Sequence, residues 1–246
     1  MALYTLADLH LAADVAKPMD IFGGRWQGHT EKIIKNWRAL VAPEDTIVLG
    51  GDISWGINLA EAKGDFALID SLPGKKIILK GNHDLWWETA SKMHRFLDEN
   101  GFTTIDFLHN NCFFYEKTAL CGTRGWPFEE DFADPHNEKI FKRELLRLEA
   151  SLKLGAAADP EEILCFLHYP PLYASYRCGE IIELLHKYGV KRCIYGHLHG
   201  KSLSHAVTGE QEGIEWKLVS GDFVDFIPIF LKKIRKKAME ILKIIW

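Results

Sequence analysis

The chain of 246 residues contains no run approaching the ~18 consecutive apolar residues that a membrane-spanning helix needs. Its first residues, Met-Ala-Leu-Tyr-Thr-Leu-Ala-Asp, lack the basic segment and the apolar length of a secretory leader. A dominant charge is missing too. The 30 Lys and Arg residues face 34 Asp and Glu, and the net charge of -4 gives no global pull toward nucleic acid. The five cysteines, Cys112, Cys121, Cys165, Cys178 and Cys193, are odd in number and form no CxxC pair, which leaves a zinc ribbon unsupported. Three of them fall in apolar runs, so buried reduced thiols and a cytoplasmic location are expected. No Pro-, Gly- or Ser-rich linker divides the chain, and no repeat recurs at a fixed period. With 47% hydrophobic residues it can bury one sizeable core, and residues 1–246 are read as a single domain.

The chain does carry an alternation of short apolar runs and helical spacings. Residues 3–7, 46–49, 76–79, 163–167 and 191–195 read as strands. Residues 31–41, 59–72, 91–99, 139–154 and 180–188 carry helical spacing or sit between strands as helices. Pro43, Pro73-Gly74 and Gly189 close three of these helices. The pattern argues for an α/β layering around buried sheet. Residues 103–121 read as a hairpin turning at Asn110-Asn111, and 122–137 as a long loop rich in aromatics and acids. Residues 202–207 and 214–219 read as an antiparallel strand pair.

The chemistry lies in the turns at the strand ends. Asp8-Leu9-His10 comes after the first strand, Gly51-Asp52 after the second, and Gly81-Asn82-His83-Asp84 after the third. His168 comes directly after 163–167, and Gly196-His197-Leu198-His199 after 191–195. Ligands gather at the carboxyl ends of strands in open α/β sheets, so these turns can meet in one cleft. Carboxylate, imidazole and amide oxygen suit Zn, Mn or Fe, and the lack of thiolates disfavours a soft-metal site. In extended chain, residues i and i+2 point the same way. Asp8 and His10 can therefore reach one ion, or His10 can lie just beyond it; His197 and His199 can divide between two ions. Asp-Leu-His, Gly-Asp, Gly-Asn-His-Asp and His168 each alone fit a turn or a hydrogen-bonded histidine; Gly-His-Leu-His is stronger, since two imidazoles flanked by glycines at a strand end rarely serve packing, and the ordered set points to metal chemistry.

That set, D-L-H, G-D, G-N-H-D, the lone His of H-Y-P-P, and G-H-L-H, resembles the calcineurin-like metallophosphoesterase family. The resemblance runs from Asp8 to His199 with no motif missing. It implies that Asp8, His10 and His199 hold a first divalent or trivalent metal ion, that Asp52 bridges to a second, and that Asn82, His168 and His197 complete the second site. It implies that His83 faces the substrate without being a ligand and that Asp84 orients it. The implied fold is two facing mixed β-sheets flanked by helices, a four-layer αββα sandwich. The implied reaction is hydrolysis of a phosphomonoester or phosphodiester, with a metal-bridging hydroxide attacking a small-molecule substrate.

A non-catalytic metal-binding or scaffold protein on the same fold is the rival, and such a protein would be expected to lose ligands or His83. A membrane-associated lipid pyrophosphatase is a variant of the hydrolase reading.

Outside the motifs, Trp55, Trp86, Trp87 and Trp126 fall close to the ligand turns. Trp86, Arg124 and Arg25 are candidate substrate contacts, Arg124 because a guanidinium meets phosphate bidentately. Residues 227–246, IPIFLKKIRKKAMEILKIIW, carry six basic residues and one acid. Apolar residues at 230, 231, 234, 238, 241, 242 and 245 make one helical face. A basic amphipathic helix is expected there, packed on its own domain, lying on anionic lipid, or forming a dimer contact.

Overall fold

The computed structural model describes residues 1–127 and 134–233. Its first half winds strand, helix, strand: β1 (Ala2–Leu6), α1 (His29–Leu40), β2 (Thr46–Leu49), α2 (Lys63–Ser71), β3 (Lys75–Ile78), α3 (Ala90–Asn100) and β4 (Ile105–Phe107). Each helix carries the chain back so that the next strand pairs parallel to the last. The second half gives β5 (Phe113–Tyr115), β6 (Thr118–Thr123), α4 (Pro135–Ala156), β7 (Glu162–Leu167), a small hairpin of β8 (Leu172–Tyr173) and β9 (Tyr176–Arg177), α5 (Gly179–Lys187), β10 (Arg192–Tyr195), β11 (Gly209–Gln211) and β12 (Ile214–Leu218). Finally β13 (Ile229–Lys233) returns to pair antiparallel with β1. One sheet runs β13-β1-β2-β3-β4 and the other β11-β12-β10-β7-β6-β5.

Side-chain alternation along the central strands sets the layers. On β2, Ile47 and Leu49 pack with Trp37 of α1 and Phe66 of α2, while Val48 faces the other way. On β7, Ile163, Cys165 and Leu167 pack with Leu148 and Leu152 of α4 and Ile181 and Ile182 of α5. Leu164 and Phe166 turn inward to meet Leu3, Val48 and Ile77 of the first sheet. The order is therefore helices, sheet, sheet, helices. Both sheets are covered on both faces, which is why their strands read as continuous apolar runs.

The cysteines are all free, and four are buried. Cys121, Cys165 and Cys193 stand in register on β6, β7 and β10, facing the helices α4 and α5. Among the described residues, no helix is long and apolar enough to cross a membrane.

Three local expectations are corrected. Residues 103–121 do not form one hairpin. Asn110 takes the positive φ of a turn residue, 62°, but that turn carries the chain from β4 in one sheet to β5 in the other. The hairpin is β5–β6, turning at Glu116, whose φ is 53°. Residues 200–205 form a 3-10 helix rather than a strand, because Ser202 accepts from the His199 N–H at 2.9 Å and bends the chain there. The antiparallel partner of β12 is β11. Residues 229–233 are a strand, not the start of a helix: Ile229 and Leu231 alternate inward, and the free edge of β1 supplies the backbone partners. The rest of the expected helix, 234–246, lies outside the described residues.

Candidate metal centre

All the motif turns converge at the carboxyl ends of β1, β2, β3, β7 and β10. The backbone knits them: the Asp8 N–H donates to the Gly51 carbonyl at 2.9 Å, His10 N–H to the Asp52 carbonyl at 2.9 Å, and Gly196 N–H to the His168 carbonyl at 3.2 Å. The two sheets join where the His197 N–H donates to the Asp8 carboxylate at 3.0 Å. Gly81 is required by close approach, since a Cβ there would lie 2.1 Å from Asp52 Oδ1. Asp8, His10, Asp52 and His197 all sit in the left-handed region, with φ of 58°, 45°, 53° and 73°. Non-glycine residues seldom adopt it, and such strain, about 1–3 kcal/mol each, gathers at functional sites.

Two groups of donor atoms result. Asp8, His10 and His199 offer ligand atoms within 4.8 Å of one another, and so do Asp52, His168 and His197. The groups meet at Asp52, whose Oδ2 lies 3.7 Å from His10 Nε2 and 3.4 Å from His168 Nε2. Asn82 Oδ1 lies 2.7 Å from the same His168 nitrogen. The other ring nitrogen of His168, Nδ1, is 3.0 Å from the Gly50 carbonyl. With the proton on Nδ1, the Nε2 lone pair faces the site. His199 is held likewise: Nδ1 is 2.7 Å from Asp222 Oδ1, while Nε2 is buried, has no hydrogen-bond partner among the described residues, and lies 3.4 Å from Asp8 Oδ1. An orphaned imidazole nitrogen beside a buried carboxylate fits a metal ligand, so the donor set present here suits a metal pair.

The electrostatics agree. Burial alone would raise the Asp8 and Asp52 carboxyls, but His199 beside Asp8 and His168 beside Asp52 hold both below the usual range. Burial opposes charge on His168, yet Asp52 pushes it up to about 9. Burial likewise opposes charge on His199, and Asp8 with Asp222 pushes it up to about 10. Burial drives His10 down to about 4 and His197 down to about 3. The buried carboxylates thus draw positive charge to themselves, which is the demand a bound cation meets.

The half-buried His83 stands at the mouth. Its ring centroid lies 4.4 Å from that of Trp55 and 5.5 Å from that of His10. His83, Trp55, Trp26, Met19 and Phe22 line a largely apolar cavity of about 480 Å³ beside His10 and His199. Asp84 does not pair with the His83 ring. Its buried carboxylate accepts from the N–H groups of Gly81 at 2.7 Å, Asp52 at 2.9 Å and Ile53 at 2.8 Å, and from Trp86 Nε1 at 3.0 Å. Burial and the Asp52 charge push Asp84 up to about 6. It clamps two ligand turns together, and the His83 backbone is held by Asp52 Oδ1 at 2.8 Å.

Trp86 is corrected as a substrate contact: it is fully buried, edge-on to Phe66 at 4.9 Å, and serves the core. Arg25 is exposed and donates to the Asp222 carbonyl at 3.0 Å, which ties it to the backbone behind His199. Arg124 lines a separate polar cavity with Lys80. The residue that no motif announced is Asp222. It follows β12 in Ser220-Gly221-Asp222 as Asp52 follows β2 in Gly50-Gly51-Asp52, and that strand-end Gly-Asp was its one available signal.

By overall structure the chain is similar to a phosphopantetheinyl hydrolase from Mycobacterium tuberculosis, with a TM-score of 0.59 at 13% identity over 96% of this chain and 98% of that one. It is also similar to a protein of unknown function from Aquifex aeolicus, with a TM-score of 0.47 at 16% identity over 93% and 95% of the two chains. No curated protein sequence matches it. The family model of calcineurin-like phosphoesterases matches residues 1–201, which include every motif turn of the site, and the chain belongs to that family.

Proposed function

We propose that this protein is a binuclear metal-dependent phosphoesterase acting on a small-molecule phosphomonoester or phosphodiester. The observation that carries the reading is Asp52 Oδ2, set between His10 and His168 so that one carboxylate serves both donor groups. Asp8, His10 and His199 would hold one ion, Asn82, His168 and His197 the other, with Asp52 shared. Mn, Fe and Zn all suit this donor set. When bound, such a pair supplies Lewis-acid charge to the phosphoryl oxygens and acidifies a coordinated water.

The chain's own residues do the rest. Asp222 and the Gly50 carbonyl orient His199 and His168 through their Nδ1 atoms. Asp84 fixes the two turns that present Asp52 and Asn82. His83 offers its ring to the leaving oxygen as hydrogen-bond donor, and Trp55 and Trp26 wall the space beside it from water.

The test is a panel of mono- and diesters assayed under Mn, alongside elemental analysis. His83→Ala is expected to keep both metals and lose about 10²–10⁴-fold in turnover. A fall in metal content that tracks the loss would contradict the role given to His83. A metal-loaded chain that hydrolyses no phosphoester would return the reading to a binding or scaffold protein.

A further inference from the structure

A second cavity, about 360 Å³, adjoins the ligand turns. Lys80, just ahead of Gly81-Asn82, forms part of its wall, and so does Arg124, whose carbonyl accepts from the His168 N–H at 3.1 Å. Arg147, Trp87, Glu144 and His109 also line it. Among its described lining residues, Lys80, Arg124 and Arg147 outnumber Glu88 and Glu144. Buried Glu144 accepts from Thr123 Oγ1 at 2.7 Å and from Arg147 Nη1 at 2.7 Å, so both its oxygens are engaged. Glu88, at the rim, pairs with Lys92 at 3.1 Å. Among the described residues, no carboxylate makes an ion pair with Lys80 or Arg124.

Two donors in this wall also lack acceptors. Arg124 Nε and Trp87 Nε1 are buried and have no hydrogen-bond partner among the described residues. Leaving such a group unpaired forfeits its hydration with no return, so paired donors are the rule and orphans call for a cause. A guanidinium, an ammonium and an indole N–H together match a multi-oxygen anion better than a single carbonyl.

We infer that this cleft binds a second phosphate of the substrate, set back from the scissile one, so that the preferred substrate is a bisphosphorylated small molecule. The inference rests on the phosphoesterase reading for its scissile group, and its test separates the two. The Mn-loaded chain is titrated calorimetrically with alkane-α,ω-bisphosphonates of increasing length and with alkylphosphonates of matching length. Their P–C bonds resist hydrolysis, so binding is read without turnover. One bisphosphonate length is expected to bind roughly 100-fold or more tighter than its monophosphonate, as two charge-assisted contacts imply. Lys80→Met combined with Arg124→Met should abolish that advantage, and Arg124→Lys with Lys80 intact should restore part of it. Melting curves confirm that each variant is folded. The inference is overturned if no length gains more than about 3-fold, or if the folded double variant keeps the gain. Hydrolysis of the corresponding phosphate esters is followed in parallel: a chain that binds the bisphosphonate but cleaves nothing refutes the phosphoesterase reading and leaves the anion cleft standing.

Discussion

The bond from His199 to Asp222, 2.7 Å, decides which ring nitrogen faces Asp8. Asp222→Ala should therefore weaken metal binding about 10–100-fold without removing a ligand, measured by competitive metal titration; unchanged affinity would reject an orienting role. Lys76 gives a prediction away from the site. Buried on β3, it donates to the Leu72 carbonyl, to Thr104 Oγ1 at 2.9 Å and to the Asp70 carbonyl at 3.3 Å. Burial lowers its ammonium from 10.5 to about 8. Between those two values the unfolded chain holds a proton that the folded chain has released, so this group adds stability as pH rises through the window and contributes no slope below it. Lys76→Met should remove that alkaline gain, seen as a steeper fall in melting temperature from pH 8 to 10 than the parent chain gives. Residue types at strand ends made the seven candidate ligands legible in the sequence. Asp222 escaped because a single Gly-Asp is an ordinary turn, and Trp86 misled because an aromatic beside a ligand turn serves a core as readily as a substrate.

Turns and strands carry the next scale. The approach of the Gly81 turn to Asp52 leaves no room for a methyl group: the nearest atoms, Asp52 Oδ1 and Asp52 N, would lie 2.1 and 2.2 Å away. Gly81→Ala must push the two turns apart. It should cost about 2–4 kcal/mol of stability and most of the metal content, read by denaturant midpoint and elemental analysis; a variant that retains both metals would show that the turns can separate freely. Helices and parallel strands were legible because their apolar spacing is long and regular. The errors fell on short pieces governed by partners. Asn110 has turn geometry, but which strand follows it into which sheet depends on contacts distant in sequence. The apolar residues of β13 fit a helical face as well as an alternating one, and pairing with β1 decides between them.

At the scale of the molecule, periodicity gave strand–helix alternation, while the facing of the two sheets came from the family resemblance. The reason is physical: a strand buried on both faces does not reveal which face meets a helix and which a sheet. The last strand shows how the halves are held. β13 belongs to the first sheet, yet Lys232 reaches across to Thr118 Oγ1 on β6 at 2.7 Å and to Glu162 on β7 at 3.2 Å. Leu231 enters the layer between the sheets. A chain ending at Pro228 keeps Phe226, which packs edge-on to Trp26 at 5.2 Å behind the candidate metal site, but loses the strand and its cross-sheet contacts. It should lose about 3 kcal/mol or more of stability, since removing one buried leucine side chain alone costs about 2–5 kcal/mol. Leu231→Ala in the full chain should reproduce part of that loss, and Lys232→Met a smaller part, because its ion pair is half-exposed. Denaturant unfolding of the three variants beside the parent chain measures this. If the chain ending at Pro228 unfolds at the parent midpoint, β13 is an appendage to the sandwich and not the strand that closes it.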